Sequence, residues 1–481
     1  MDHLLWSIAV ASEWANPAGL DLHVDFDPDA AGGRRAGLEL ALRTAIRDGR
    51  LAPGARLPAT RALAEELGVA RGTVTAAYGQ LVAEGYLAAR RGAGTVVARA
   101  PDHGSRERGT RPEPPRVRHD LYPGRPDVSA FPVQAWLNAA RRVLPRVEPA
   151  AFALDDPRGR PELRTALAEY LGRTRGVVAD PDDIVVTSGF LQALGLVARV
   201  LHDRGCTHVA MEDPCVPFHR EVVRRAGPEV VPLPVDGVGA AGSVPADAGA
   251  VVLTPAHQAM LGVVLGPSRR RRLLDWAAST GGLLLEDDYD GELSHDRQRI
   301  GALQGMAPGH VAYAGTASKT LGPAVRLGWL VLPRRLVDAV AEAKFYADAQ
   351  TESIGQLVLA ELIHRHDYDR HVRAQRLKYR RRRAQLLRRL ATEVPAVRVH
   401  GAAAGVQVLL ELPPGGPGEA EVVALAAGRG VRVAALGPAW HDQRAAASRR
   451  GIVVGYATPA DHAWAAALDA LVDVLRSAFG R

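Results

Sequence analysis

A chain of 481 residues, 47% of them hydrophobic, has enough apolar material for about two to four domains with ordinary cores. Its net charge of +7 and pI near 9.7 permit a polyanionic partner. Cys206 and Cys215 are the only cysteines, which argues against a disulfide scaffold and fits a reducing compartment. Met1 to Val10 carry an acid at Asp2 and too short an apolar run for a signal peptide or a membrane span, so the cytoplasm is expected.

Residues 1 to about 33 show no strong period, hold Asp21, Asp25, Asp27 and Asp29, and read as an arm. From Leu38 a helical spacing sets in through Leu42, Ala45 and Ile46, and Gly49 closes it. A second helix opens at Thr60, a capping residue type, and stops at Gly68; a third runs from Arg71 to Glu84 with Val74, Ala77, Tyr78 and Leu81 inward. Two short helices joined by a tight glycine turn predict a helix-turn-helix. Gly85 to Val97 then reads as two strands around an Arg-Gly-rich tip, a hairpin wing. Between Arg34 and Arg99 there are eleven arginines against five acids, so most of the net charge sits in this block. Helix pair, wing and basic excess together predict a double-stranded DNA partner, with the third helix in the major groove.

The block resembles the GntR-type winged helix over about sixty residues, through Gly49-Arg-Leu-Ala-Pro-Gly-Ala-Arg-Leu-Pro58, Leu67-Gly-Val-Ala-Arg-Gly-Thr-Val74, Ala77-Tyr78 and Glu84-Gly-Tyr-Leu87. The resemblance implies DNA contacts from Arg56, Arg61, Arg71, Thr73, Thr75 and the wing at Arg91-Gly92. Ala70 departs from it, standing where that family usually has serine.

Residues 1–99 are therefore expected to form the arm and winged helix, and the polar, Pro/Gly-rich residues 100–119 a linker. From Leu121 strands alternate with helices: strands at Ile184 to Thr187, Val209 to Met211, Val251 to Leu253, Leu283 to Leu285 and Val311 to Ala314, helices at Leu163 to Leu171, Leu191 to Leu201 and Leu273 to Ala278. Such alternation predicts a mainly parallel α/β sheet over residues 120–481, with ligands beyond the strand carboxyl ends. Arginine runs occur at Arg269 to Arg272 and Arg380 to Arg383; the second lies in a basic stretch, Arg370 to Arg389, expected to be a helix with a solvated face, or one lending auxiliary DNA contact.

Three strand ends carry chemistry. Thr187-Ser188-Gly189-Phe190 opens a helix whose free amides can bind phosphate. Leu283 to Asp290 ends a buried strand in carboxylates, which need a cation or a metal such as Mg²⁺. Tyr313 to Arg326 presents Lys319, one of only three lysines (with Lys344 and Lys378) among 60 basic residues. Arginine cannot replace a lysine that must deprotonate and form a Schiff base. A phosphate-bearing pyridine aldehyde satisfies all three demands: the lysine holds it, a buried Asp keeps its ring nitrogen protonated, and Thr316, Ser318, Arg326 and the amides at Gly189 and Phe190 bind its phosphate.

This half is similar to fold-type-I, aspartate-aminotransferase-like enzymes over about residues 120 to 480, through Pro123-Gly-Arg-Pro-Asp127, Asp156-Pro-Arg-Gly159, Thr254-Pro-Ala-His-Gln258, Glu286-Asp-Asp-Tyr-Asp290, Gly315-Thr-Ala-Ser-Lys-Thr-Leu321 and Gly451-Ile-Val-Val-Gly-Tyr-Ala457. Winged helix, linker and this domain together resemble the MocR-type regulators. The resemblance implies pyridoxal 5'-phosphate on Lys319, Asp287 at the pyridinium nitrogen with Asp288 as the substitute if the register shifts by one, and Tyr289 at the ring oxygen. It further implies a homodimer that senses an amine, an amino acid or the cofactor and alters operator binding.

Departures cluster in the pocket: Val216 stands where a tyrosine is usual, so that stacking is either lost or taken by Phe218, and Leu191, Met260-Leu261 and Gly322 replace a Gln, a Pro-Thr pair and a bulky residue. A working aminotransferase with an accessory DNA-binding module would need an arginine for its substrate carboxylate, with Arg220, Arg449 and Arg450 as candidates. A regulator whose second domain is cofactor-free is the third reading.

Overall fold

The computed structural model describes residues 24–98 and 117–480, except 29, 91–93, 295–299, 403 and 443–448. It divides into two compact units, separated in sequence between residues 113 and 114.

In the first unit α1 (Gly33–Arg47) buries Leu38, Ala41, Leu42 and Ala45, residues three and four apart that form one stripe. Two short helices follow, α2 (Thr60–Glu66) and α3 (Arg71–Ala83). Thr60 is the first helical residue and Ala59 the cap, without a side-chain cap bond, so the cap expected at Thr60 does not form. The wing is β1 (Leu87–Arg90) antiparallel to β2 (Gly94–Val97), with Leu87 opposite Val97. Leu38, Leu42, Leu63, Val74, Leu81 and Leu87 meet in one core, each contributing about 1.5–3 kcal/mol through burial. The last residues of the acidic arm join that core through Val24 and Phe26. Gly37 permits it, since a Cβ there would stand 2.6 Å from the Asp27 carbonyl oxygen.

The second unit opens with β3 (His119–Asp120), α4 (Val133–Val143) and α5 (Pro161–Arg175). His119, read above as linker, pairs with Val431 and belongs to the folded unit. Next come β4 (Ile184–Thr187), α6 (Phe190–Asp203), β5 (His208–Asp213), α7 (Pro217–Ala226), β6 (Glu229–Asp236), β7 (Gly239–Ala240), β8 (Ala248–Leu253), α8 (Pro267–Thr280), β9 (Leu283–Asp287), β10 (Val311–Thr316) and β11 (Gly328–Val331). These strands form one eight-stranded sheet in the order β4-β11-β10-β9-β8-β5-β6-β7. It is parallel from β10 through β6, while β11 runs antiparallel between β4 and β10. The neighbouring strands β11, β10 and β9 are buried at every residue, as a sheet covered on both faces requires.

The chain ends through α9 (Arg334–Asp348), α10 (Ser353–His364), α11 (Asp367–Glu393), β12 (Arg398–His400), β13 (Val408–Glu411), α12 (Glu419–Gly428), β14 (Val431–Arg432), β15 (Ala434–Ala435), β16 (Gly451–Val454) and α13 (Trp464–Phe479). Strands β12, β13, β16 and β15 make a second, four-stranded antiparallel sheet.

The basic helix α11 has the solvated face expected of it, and its other face is built into the fold. Val372, Tyr379, Leu386 and Leu390 face the core, while Leu377 is exposed. Arg376 donates to the Glu292 carbonyl, Arg383 to that of Gly401, and Arg382 to those of Ala457 and Pro459. Lys378 pairs with Asp127 at 2.8 Å, while Arg370, Arg373, Arg380, Arg381 and Arg388 remain exposed. Arg270, in the other run, is buried and donates to the Gly301 carbonyl.

One buried ion pair joins α5 to the end of β9: Arg175 Nε to Asp288 Oδ2 at 2.6 Å, with the Tyr313 hydroxyl donating to the same oxygen at 2.8 Å. Asp288→Ala is expected to destabilise the second unit by about 3–5 kcal/mol, because it strands the buried Arg175 guanidinium. Denaturant unfolding followed by tryptophan fluorescence checks this.

Candidate functional site

Strand alternation sends Asp287 and Asp288 to opposite faces, so they do not act as the carboxylate pair that the sequence suggested. Asp288 is spent on Arg175 and Tyr313. Asp287, opposite Ala314 in the parallel register of β9 and β10, is buried and accepts no hydrogen bond from the described residues. Burial pushes its carboxyl well above the usual range, and the charge of nearby Lys319 opposes that rise.

Lys319 follows β10 in a turn, and its Nζ donates to the Gly124 carbonyl at 2.6 Å. Desolvation lowers its pKa, against the pull of Asp287 and Asp290. The amine lies 5.9 Å from the centre of the Tyr289 ring. The Tyr289 hydroxyl, expected to reach a ring oxygen, donates to the His257 carbonyl at 3.1 Å and lies 3.1 Å from His257 Nδ1. That nitrogen is also 2.8 Å from Asp290 Oδ2.

A second group of the expected residues comes together at the N-terminus of α6. Gly328 of β11 lies so near the β4–α6 turn that a Cβ on it would stand 2.9 Å from the Gly189 Cα. Gly189 has φ +101°, and a Cβ on it would lie 3.4 Å from an Arg326 guanidinium nitrogen. Arg326 thus borders the N-terminus of α6, where Phe190 is the first helical residue and backbone N–H groups are free. Arg326 forms no ion pair among the described residues, and its φ of 56° is the left-handed turn that aims it there. Thr316 donates to Ser318 Oγ at 2.9 Å and accepts from the Ser318 amide, so the two hydroxyls are pre-set at the same edge.

Two residues come forward that sequence reasoning missed. Phe218 is 56% exposed and is not the stacking ring; His219 lies between it and Phe190, with ring centres 4.8 and 4.9 Å away. Desolvation, then the Lys319 charge, pushes the His219 imidazole down to about 3, so it is a neutral ring near the lysine. His257 stood in a quoted motif without a role; the only signal for His219 was its place beside Phe218. The three arginines considered for a carboxylate clamp are engaged elsewhere. Arg220 is buried and donates to the Pro438, Ala439 and Trp440 carbonyls, Arg449 meets Glu411 and His400, and Arg450 donates to the Pro413 carbonyl. No group of three or more His, Cys, Asp or Glu suited to a metal ion occurs among the described residues.

In the first unit, Arg71 opens α3 and is exposed, Thr73 is half-buried beside it, and exposed Thr75 bonds back to the Arg71 carbonyl at 3.0 Å. Arg61 is exposed and meets Glu65 at 3.3 Å. Arg56 bridges to Val96, its guanidinium lying along the wing beside Gly94. Arg91 and Gly92 lie outside the described residues. Arg43 and Arg47 are engaged internally by Glu84 and Tyr86, which removes them from the pool free to meet phosphate.

Fold and site define a chain that joins a winged helix-turn-helix to an aminotransferase-type α/β domain, a fold class that works with pyridoxal phosphate. Residues 35–97 match the family of bacterial regulatory proteins of the gntR type, and residues 124–470 match aminotransferase class I and II. The chain is 30% identical over 442 residues to the HTH-type pyridoxine biosynthesis transcriptional regulator PdxR of Corynebacterium glutamicum, covering 91% of this chain and 94% of that one. It is 33% identical over 368 residues to the probable rhizopine catabolism regulatory protein MocR of Rhizobium meliloti, with 71% and 74% covered. An archaeal alanine:glyoxylate aminotransferase superposes with a TM-score of 0.67 at 24% identity, over 75% of this chain and 91% of its own. LysN, the alpha-aminoadipate aminotransferase of Thermus thermophilus, gives 0.65 at 25% identity, over 74% and 92%. The chain belongs to the MocR-type transcription regulators, GntR-type DNA-binding proteins that carry an aminotransferase-like domain. No helix among the described residues is long and apolar enough to cross a membrane.

A further acid lines this region. Glu212, at the end of β5, accepts from the Thr254 hydroxyl and from Gln258 Nε2, and burial pushes it from its ordinary 4.5 up to about 7. The folded state therefore holds a proton that the unfolded chain releases, so this group's contribution to stability falls as pH rises from about 4.5 to about 7. The fall is on the order of 3 kcal/mol. In Glu212→Gln that slope should vanish, read as the difference between wild-type and variant unfolding free energies across the window.

Proposed function

We propose that this regulator holds pyridoxal 5'-phosphate at Lys319 and uses it to sense an amine or the cofactor itself, changing its affinity for an operator. The observation that supports this best is the line formed by a buried, unpartnered Asp287, a desolvated Lys319 and an anion cradle of Gly189, Phe190, Arg326, Thr316 and Ser318. When bound, the cofactor supplies a carbonyl that condenses with primary amines and a ring that accepts electrons. Lys319 offers the amine, and its lowered pKa raises the uncharged, nucleophilic fraction. Asp287 accepts the proton-bearing ring nitrogen as the cationic partner its buried carboxylate lacks. Arg326 and the α6 amides bind the phosphate, Tyr289 borders the ring oxygen, and the neutral ring of His219 excludes water beside the lysine.

On the DNA side, Arg71, Thr73 and Thr75 present the start of α3 to the major groove, with Arg56, Arg61 and the wing at Arg91-Gly92 on the flanking backbone. A two-fold homodimer would match paired half-sites. Switching requires the effector to bind the two DNA-binding arrangements with different affinity.

Purified protein loaded with the cofactor should show a visible absorption band that disappears in Lys319→Ala; a colourless protein that resists loading would refute the cofactor assignment. Arg71→Ala should weaken operator binding roughly tenfold or more with the band unchanged, as measured by fluorescence anisotropy. Steady keto-acid-dependent product formation from an amino-acid panel would make the protein an enzyme as well.

A further inference from the structure

Beside Lys319 lies one polar group that the fold leaves without a partner. Gln407, just before β13, is 6% exposed, and its Nε2 donates to the Ala259 carbonyl. That bond fixes the amide's orientation, since only nitrogen can donate to a carbonyl. Its Oε1 must then face away, and it is buried without a hydrogen-bond partner among the described residues. It lies close to the lysine turn, since a Cβ on Gly124 would stand 3.7 Å from Lys319 Nζ and 3.8 Å from Gln407 Oε1. A buried acceptor left unpaired costs about 1–3 kcal/mol, so a ligand donor placed there recovers that loss.

The surroundings decide what kind of ligand fits. Ala259, which holds Gln407, leads into Met260 and Leu261, and the Leu261 side chain belongs to an apolar cluster with Leu409, Trp440 and Val453. The charges acting on Lys319 are the acids Asp287 and Asp290. Arg220, Arg449 and Arg450 are committed to carbonyls and to Glu411. A carboxylate set beside Gln407 would therefore meet a fixed carbonyl oxygen and two acids.

Resting on the assignment of Lys319 as the cofactor lysine, we infer that Gln407 selects the effector as a primary amine bearing a second hydrogen-bond donor, a hydroxyl or an ammonium, rather than a carboxylate.

The test uses the full-length, cofactor-loaded protein and a matched set of four-carbon primary amines ending in hydroxyl, ammonium, methyl or carboxylate. Each is titrated while the visible band is followed. The hydroxyl and ammonium amines should reach half-effect at concentrations at least about tenfold below the methyl and carboxylate ones, the worth of one buried hydrogen bond. Gln407→Met should erase that ranking while the band itself remains. A carboxylate amine that binds as well as the hydroxyl amine in the wild type overturns the inference, whatever the variant does. A ranking that survives in Gln407→Met overturns the role of Gln407. A wild-type protein that never acquires the band overturns the cofactor assignment and this inference together, and is recognised before any amine is added.

Discussion

The pocket depends on a close approach of backbone to backbone. Because Gly328 lies against Gly189, β11 can slip antiparallel between β4 and β10 and return the chain to the mouth of α6. Larger residues at those positions would push β11 away and carry Arg326 with it. The same return fixes the Thr316–Ser318 edge, since Thr316 is paired with Gly328 across the ladder. Arg326 and the Thr316–Ser318 edge thus reach the start of α6 through one contact between two residues without side chains.

Around the lysine, the balance of charge is unusual. Asp287 and Asp290 act on one amine, Glu212 acts on Asp287, and burial raises Glu212 and Asp287 toward their neutral forms. Burial also pulls Lys319 toward neutrality. The amine and the acids facing it are thus both drawn toward the uncharged state, while Arg326, at the start of α6, forms no ion pair among the described residues.

Most of the fold was legible in the sequence because periodicity reports burial. The stripe from Leu38 to Ala45 and the uninterrupted apolar runs before Thr187, Glu286 and Thr316 have no other use. The site was legible where motif and strand end coincide, as at Lys319 and Asp287. Strand alternation alone could not say which aspartate faced the lysine; only the ion pair to Arg175, from a helix 113 residues earlier, settles the side Asp288 takes. Arginines were the least readable residues. Nothing local distinguishes Arg380, which is exposed, from Arg382, which is buried and bound to carbonyls some 75 residues away. Gln407 was equally silent, because its meaning rests on a carbonyl at Ala259.

The scarcity of lysine acquires a different meaning once the side chains are placed. Lys344 is fully buried and paired with Asp348, and Lys378 is tied to Asp127, so the only lysine left for a pocket chemistry is Lys319. Reactive aldehydes condense indiscriminately with exposed lysines on ordinary proteins. A surface that carries arginine in place of lysine offers few primary amines for that reaction, so almost none of this chain's side chains compete with Lys319 for an aldehyde.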